Sequence, residues 1–500
     1  MPTSPSAATT DVLLMLPVAV PLATAAAYLW PSRRPVTGWA GLVPPAVILA
    51  TGAALAAVRH GPVTAHGRLL RADALTVWML LVVGAVAASA CAAGPAYLAG
   101  ERRAGRADER DVRRYCVLVH LFLAAMSAAV LAGNLGVLWV AIEATTVMTA
   151  FLVGHRNTRT SVEAAWKYVV ICSVGIALAF LGTVLIYYAA RRAGIPESAA
   201  LDWPTLAAHA HGLDPAVTRL GIGLIVLGFG AKAGLVPLHA WLPDAHSQAP
   251  APVSALMSGV LLSVAFTAIL RYKVIADAAL GTGYLRLLLA VIALATLAPA
   301  TGLLLGQRDY KRMLAYSSME HMSLIALGSA VGTPLAAAAV LLHIAGHGLA
   351  KSVAFCSAGH ILQLCRTSAI GRVRGLLARS PVPGAAFGLA VLALLGMPPF
   401  SLFASELAMV RAGFTAGMGW PVALALLLVL AAFAALALRT ARMLLGPPPP
   451  APGAPAGATR TGAVAAAPLV AGLLACALLG TTTGPLTGLL HDAAVLTGGR

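Results

Sequence analysis

From residue 11 onward the chain returns again and again to apolar stretches of about twenty residues, the length needed to cross a lipid bilayer as a helix. Hydropathy places fourteen of them, near 11–30, 38–58, 74–98, 115–132, 135–153, 163–189, 217–239, 250–272, 284–305, 313–331, 335–363, 383–406, 420–438 and 463–480. No soluble core needs so many uninterrupted runs, and the composition agrees: 59% of residues are apolar and 10% charged. A soluble enzyme is excluded on these figures. The expected fold is therefore all-α, a polytopic membrane protein of about fourteen helices.

The formal charge of +17 raises the question of a nucleic-acid partner, but its distribution answers a different one. With the N-terminus outside, 21 basic residues fall in inner segments, including Arg33, Arg34, six arginines in 102–114 and Arg460, against 11 outside and two within spans. That bias places both termini outside a cell membrane. The first apolar run has its basic pair after it rather than before it, which reads as an anchor span and not a secretory leader. Six cysteines lie far apart without C-x-x-C spacing, so neither a disulfide scaffold nor an iron–sulfur or zinc cluster is expected. Gly221, Gly223 and Gly228 sit inside an apolar run and make a poor dinucleotide fingerprint. No cofactor is expected, and no nucleic acid.

Three zones follow. Residues 1–112 give three spans and a basic loop; 113–443 hold ten spans and nearly all the intramembrane polar residues; 444–500 hold the Pro-rich linker Gly446–Pro455 and one last span, with no long C-terminal helix expected. The middle zone reads as two five-span units, 113–273 and 284–443. The fourth span of each is broken by Gly and Pro, at Gly234–Pro237 just after Lys232 and at Gly396–Pro399 just before Glu406. Paired breaks at matching places are the signature of an inverted repeat. The bland alternative is that Gly and Pro are common in membrane helices.

A charge at bilayer depth costs about 2.5–3.5 kcal/mol, so each one asks for a reason. Glu143 stands mid-span in LGVLWVAIEATTVMTAFLVG, and Lys232 in LIVLGFGAKAGLVPLHAW. A Glu and a Lys on adjacent helices form a pair whose separation can toggle a proton; a static ion pair is the alternative. The residue type matters, because the chain uses only five lysines (Lys167, Lys232, Lys273, Lys311, Lys351) against 29 arginines. Where a cation must lose its proton, Arg cannot serve. His343, His347 and Lys351 recur at i, i+4 and i+8, one stripe on a helix and a candidate proton relay, with core packing as the alternative. A metal at His343 and His347 needs a third ligand that the local sequence lacks.

Glu406 reads as a terminal acid. His239, Asp244 and His246, in HAWLPDAH, lie by the first break near the expected cytoplasmic mouth, to hydrate an entrance or cap helix ends. Glu163 with Lys167, and Glu320 with His321, read as snorkelling pairs near helix ends. Asp309, Lys311 and Arg312 read as a plain loop.

The stretches AIEATT, EAAWKYVVICSVG, KAGLVPLHAWLPDAHSQAPAPVSALMSGVLL, DYKRMLAYSSMEHM, HIAGHGLAKS and GMPPFSLFASE resemble the antiporter-like subunits of respiratory complex I and the Mrp antiporters. The wording is most similar to the F-type component of hydrogenase-4, over roughly residues 75–445. The resemblance implies two inverted five-helix repeats around a hydrated polar axis, with Glu143 and Lys232 as a coupling pair. It also implies that His343, His347 and Lys351 lie on a connecting helix, and that Glu406 is the exit-side residue. The chain departs from the family in the eighth span. Many members carry Lys or His there, whereas VSALMSGVLLSVAF offers only Ser254, Ser258 and Ser263, which hold water but do not titrate.

The function implied is a proton-conducting subunit of a complex I-like oxidoreductase, with redox chemistry in partner membrane and peripheral subunits. An Mrp-type Na⁺ or K⁺/proton antiporter, and an energy-coupling component of inorganic-carbon uptake, are the alternatives.

Overall fold

The computed structural model describes residues 7–29, 38–58, 61–446 and 461–498. Arg33, Arg34, Arg460 and the linker after Gly446 lie outside the described residues. The described chain is built from helices α1 (Ala7–Leu29), α2 (Val43–Val58), α3 (Ala74–Arg103), α4 (Glu109–Leu131), α5 (Leu135–Val153), α6 (Arg159–Arg192) and the short α7 (Trp203–His209). There follow α8 (Pro215–Lys232), α9 (Trp241–Gln248), α10 (Ala251–Leu256), a π-helical turn at Met257–Leu261, α11 (Leu262–Leu280), α12 (Thr282–Gly306), α13 (Tyr310–Val331) and α14 (Pro334–Cys365). The chain continues with α15 (Leu376–Arg379), α16 (Pro381–Leu394), α17 (Ser401–Thr415), α18 (Gly419–Leu444), α19 (Ala463–Thr481) and α20 (Thr487–Leu496).

Among the described residues, twelve helices are long and apolar enough to cross a membrane. The expected stretches 313–331 and 383–406 are not among them. The first falls on α13, which is 22 residues long but carries Lys311, Arg312 and Glu320 and is buried along most of its length. The second falls on a helix pair, α16 and α17, separated by the expected break. Two elements escape a search for twenty-residue runs. A hairpin pairs β1 (Val63–Ala65) with β2 (Leu70–Ala72), and α20 follows the last expected span.

The breaks form where the local chemistry demands. Helix α8 stops at Lys232 because Gly234 takes a left-handed φ of +78° and Pro237 lacks an amide donor. Such non-helical backbone survives in a membrane only if its polar groups are satisfied within the protein. Here the Trp241 indole donates to the Ala231 carbonyl at 2.9 Å, and the Val236 amide donates to Thr296 Oγ1 at 3.0 Å. The second break repeats the pattern, with Gly396 at φ +62° before Pro398 and Pro399.

Two helices pass through the middle of the bundle. The apolar window of the Ala251–Leu280 span is wholly buried, and that of α14 is 94% buried. They cross in backbone contact: a Cβ on Gly259 would lie 2.9 Å from the Gly348 carbonyl oxygen, and one on Gly348 would lie 2.7 Å from that of Gly259. No side chain fits between them. Gly221 packs in the same way against Gly182 of α6, so that glycine serves helix packing rather than a nucleotide.

Ion pairs fasten the ends of the bundle. Asp73 caps α3 through the Thr76 amide and accepts two bonds from the Arg271 guanidinium, at 2.6 and 2.8 Å. Burial opposes ionisation of that carboxyl, but Arg271 and Arg71 outweigh it and hold it below the usual carboxylate range. At the other end of α3, buried Glu101 accepts from Arg106, Arg156 and Gln363, tying the loop after α3 to α14.

Candidate functional site

The ionisable residues of the interior fall into two groups. In the first, α8 delivers Lys232 to the interface with α5 and α6, where it is fully buried. Its ammonium donates to Thr146 Oγ1 at 2.8 Å and to the Tyr168 hydroxyl, and lies 4.7 Å from the centre of the Tyr168 ring. Glu143 stands one helical turn before Thr146 on α5. No ion pair joins Glu143 to Lys232 among the described residues, and Glu143 Oε2 is buried without a hydrogen-bond partner. The expected contact pair is therefore open here: the hydroxyls of Thr146 and Tyr168 occupy the lysine in its place.

The second group gathers on α14. His343, His347 and Lys351 are all fully buried on the expected stripe. Lys351 donates to the Leu314 carbonyl at 2.7 Å and to the Ser317 hydroxyl, both from α13. Helix α13 also inserts His321 against the stripe, its ring centre 5.2 Å from that of His343 and 5.1 Å from that of His347. His321 Nδ1 and His343 Nε2 face each other at 3.1 Å, and His343 Nδ1 reaches Ser405 Oγ on α17 at 3.0 Å. Glu406 follows Ser405. The Gly396 backbone backs directly onto the Glu406 carboxylate, leaving no room for a Cβ, so the second break positions the acid. Ligand atoms of His321, His343 and Glu406 all lie within 4.8 Å of one another. His321 and Glu406 thus reach His343 from two other helices, and His347, on the same helix as His343, is not in that group.

Glu320 and His321 are therefore not a snorkelling pair near a helix end. They are 6% and 1% exposed, halfway along α13. His246 is likewise not at a mouth. It is fully buried on α9, its ring stacked 5.4 Å from that of Phe355 on α14, with neither ring nitrogen bonded. Trp241, whose ring centre is 6.2 Å from His246, packs edge-on against Tyr168 at 4.9 Å. Aromatic packing thus runs from the Lys232 cradle to the α14 stripe.

The remaining residues of the first break face outward. Asp244 pairs with Lys167 at 3.1 Å and with Arg312, while Glu163 pairs with Lys167 at 2.7 Å. These partly exposed groups join α6, α9 and α13. His239 is half-buried with Nδ1 unbonded. Lys311 is no loop residue. It is 1% exposed and donates to the carbonyls of Ser247 and Ala249 at 2.7 and 2.8 Å.

The serines of the eighth span are all buried. Ser258, in the π-helical turn, meets Ser318 of α13 at 2.7 Å; Ser254 donates to the His246 carbonyl at 2.8 Å; Ser263 Oγ has no partner among the described residues. A π turn is a frequent mark of a functional position in a helix.

Sequence reading missed Tyr168, Thr146, Ser317 and Ser405 as contacts of the ionisable groups. Tyr168 adjoins Lys167, and Ser405 adjoins Glu406. Polar neighbours of a buried charge are the signal that would have found both.

Residues 132–433, more than half of the chain, match the membrane family described as NADH:quinone oxidoreductase/Mrp antiporter. The chain belongs to that family. It is 37% identical over 385 residues to the hydrogenase-4 component F homolog of Methylacidiphilum infernorum, spanning 76% of this chain and 80% of that one. It is 30% identical over 434 residues to the NADH-quinone oxidoreductase subunit N of Deinococcus radiodurans, spanning 84% and 83%. The fold matches a chain of the archaeal membrane-bound sulfane sulfur reductase with a TM-score of 0.84 at 23% identity, covering 97% and 98% of the two chains. It also matches a chain of the Mrp complex from Dietzia sp. with a TM-score of 0.83 at 23% identity, covering 98% of each. The protein is accordingly a multi-pass, antiporter-like membrane subunit of this family.

Proposed function

We propose that this chain is the proton-translocating membrane subunit of a complex I-like oxidoreductase of the hydrogenase-4 type, embedded in the cell membrane with both termini outside. Residues 113–443 form its translocating core, as two related units of about 113–273 and 284–443. Partner subunits supply the redox chemistry, and this chain converts their electrostatic change into proton movement. The observation that carries the reading is the row of titratable side chains through the interior: half-buried Glu143 and buried Lys232, then His246, then Lys351, Glu320, the three histidines, all buried, and half-buried Glu406. Buried charges without close ion partners cost several kcal/mol each, so such a row is retained for what it does rather than for stability.

In this reading Lys232 alternates between the open acid Glu143 and the hydroxyls of Thr146 and Tyr168. Leaving Glu143 makes the buried ammonium a proton donor, because its opposite charge is gone. The proton passes by His246 and water held by Ser258 and Ser263 to the α14 stripe, and Glu406 releases it. Lys167, Glu163, Asp244 and His239 hydrate and fasten the rim.

Lys232→Arg tests the step, since guanidinium stays protonated. In vesicles carrying the whole complex, the substitution should leave assembly intact and reduce donor-driven proton uptake by about tenfold or more. Full pumping would overturn the mechanism.

Both the family description and the fold match to a chain of the Mrp complex favour one competing reading, a cation/proton antiporter. Sodium-dependent pH change in vesicles without any electron donor would select it. Inorganic-carbon coupling would require a soluble zinc-containing partner to co-purify.

A further inference from the structure

We infer that His321, His343 and Glu406 form a site for a divalent transition metal of the zinc class. The site joins three helices: α13 gives His321, α14 gives His343 and α17 gives Glu406. Two imidazoles and a carboxylate are a donor set that zinc accepts in open sites, with the fourth position left to water.

The spacing suits the ion. Tetrahedral zinc with Zn–N bonds of about 2.0–2.1 Å holds its nitrogen ligands about 3.3 Å apart. His321 Nδ1 and His343 Nε2 already face each other at 3.1 Å, and the carboxylate of Glu406 has an oxygen within 4.8 Å of both. The two imidazole nitrogens need about 0.2 Å of movement and the carboxylate up to about 1.5 Å, a rotamer adjustment, to complete the bite.

The tautomers are arranged for it as well. Ser405 Oγ donates to the Leu402 carbonyl at 2.9 Å, so it accepts from His343 Nδ1–H, and the lone pair of His343 sits on Nε2 facing the site. His321 Nε2 is buried without a partner. The Nδ1 proton of His321 moves to Nε2 as the metal arrives; two metal–nitrogen bonds and one metal–oxygen bond replace one N–H···N bond, and no proton is lost from either ring.

The surroundings balance the charge. Glu320, next to His321 on α13, lies within Coulombic reach of Glu406 and adds an acid to the neighbourhood of the dication. Lys351 is two turns along α14 from His343, and His347, with both ring nitrogens unbonded, stands ready to accept from the metal-bound water. A cavity of about 50 Å³ lined by Leu324, Met409 and Val429 reaches Glu406 and leaves its carboxyl room to turn. Occupancy would plug the path between the histidines and their exit acid, a consequence that rests on the proposed function, whereas binding does not.

The test uses the full chain in lipid nanodiscs, with Co²⁺ as spectroscopic probe and Zn²⁺ as competitor. One Co²⁺ per chain should bind with visible d–d absorption and be displaced by Zn²⁺. His343→Gln and Glu406→Gln should each weaken binding at least about tenfold, whereas His209→Gln, on an exposed helix end, should not. No binding, or binding indifferent to both substitutions, overturns the assignment. X-ray absorption of the zinc-loaded wild-type chain covers the case of variants that fail to fold: two imidazoles in a nitrogen/oxygen shell support the site, and a shell with sulfur or without imidazole overturns it. Zinc bound to this shell without slowing proton flux supports the site and sinks the proton-path reading instead.

Discussion

Lys232 and Lys351 are the same group and both fully buried, yet their surroundings differ in kind. Lys232 ends a broken helix and touches two hydroxyls, with Glu143 the one carboxyl in electrostatic reach among the described residues and that acid out of contact. Lys351 lies inside an unbroken helix of 32 residues, bonded to a carbonyl and a serine, with Glu320, His246, His321 and His347 within electrostatic reach. On the proposed reading, Lys232 and Glu143 act as a switch, because one contact decides where the proton rests. The groups around Lys351 act as a reservoir, because several of them can take it.

That contrast can be broken most sharply at Glu143. Glu143→Gln should lower donor-driven proton flux by about 10²-fold in reconstituted vesicles, because no other carboxyl acts on Lys232 among the described residues. A variant retaining most of its flux would mean that the hydroxyl cradle, not the acid, sets the state of Lys232. In the second half the expectation is graded. His347→Gln should cost less than about tenfold, and the double variant His321→Gln/His347→Gln should approach the Glu143→Gln level. Equal damage from the single and double substitutions would collapse the reservoir into a second switch.

The smallest effect on flux belongs to Lys311, buried like the other two but bonded to backbone alone. Lys311→Met removes the side-chain donor to the Ser247 carbonyl and the shorter of two to the Ala249 carbonyl, worth about 1–3 kcal/mol of stability. The thermal midpoint of the detergent-solubilised chain should fall, with flux per folded molecule unchanged. Lost flux without lost stability would move Lys311 into the path.

Much of this is legible in the chain. The two breaks can be placed to the residue because left-handed glycine and donor-less proline act locally, whatever surrounds them. The stripe His343, His347, Lys351 follows from helical period. What stays hidden is rotation about each axis and the identity of the neighbour. His246 sits in an obvious motif, but only the packing of α9 on α14 buries it. The site trio comes from three helices, and no spacing within one helix announces it. Glu320 and His321 mislead for a different reason. Ten residues from the start of α13 is about 15 Å at 1.5 Å per residue, which is mid-membrane; that arithmetic outweighs the charged stretch before it. The hairpin and α20 are simply shorter than the pattern that finds spans.

Lys311 also has a mechanical meaning. Its ammonium is cleated to the two carbonyls just ahead of the eighth span, and Arg312 beside it grips Asp244. Two to three turns further along the same rod, α13 presents Glu320 and His321 to the stripe. That anchor fixes the axial position of α13, and with it the height at which Glu320 and His321 meet the stripe. The clamp at the helix end and the register of the buried site are thus one property of the fold.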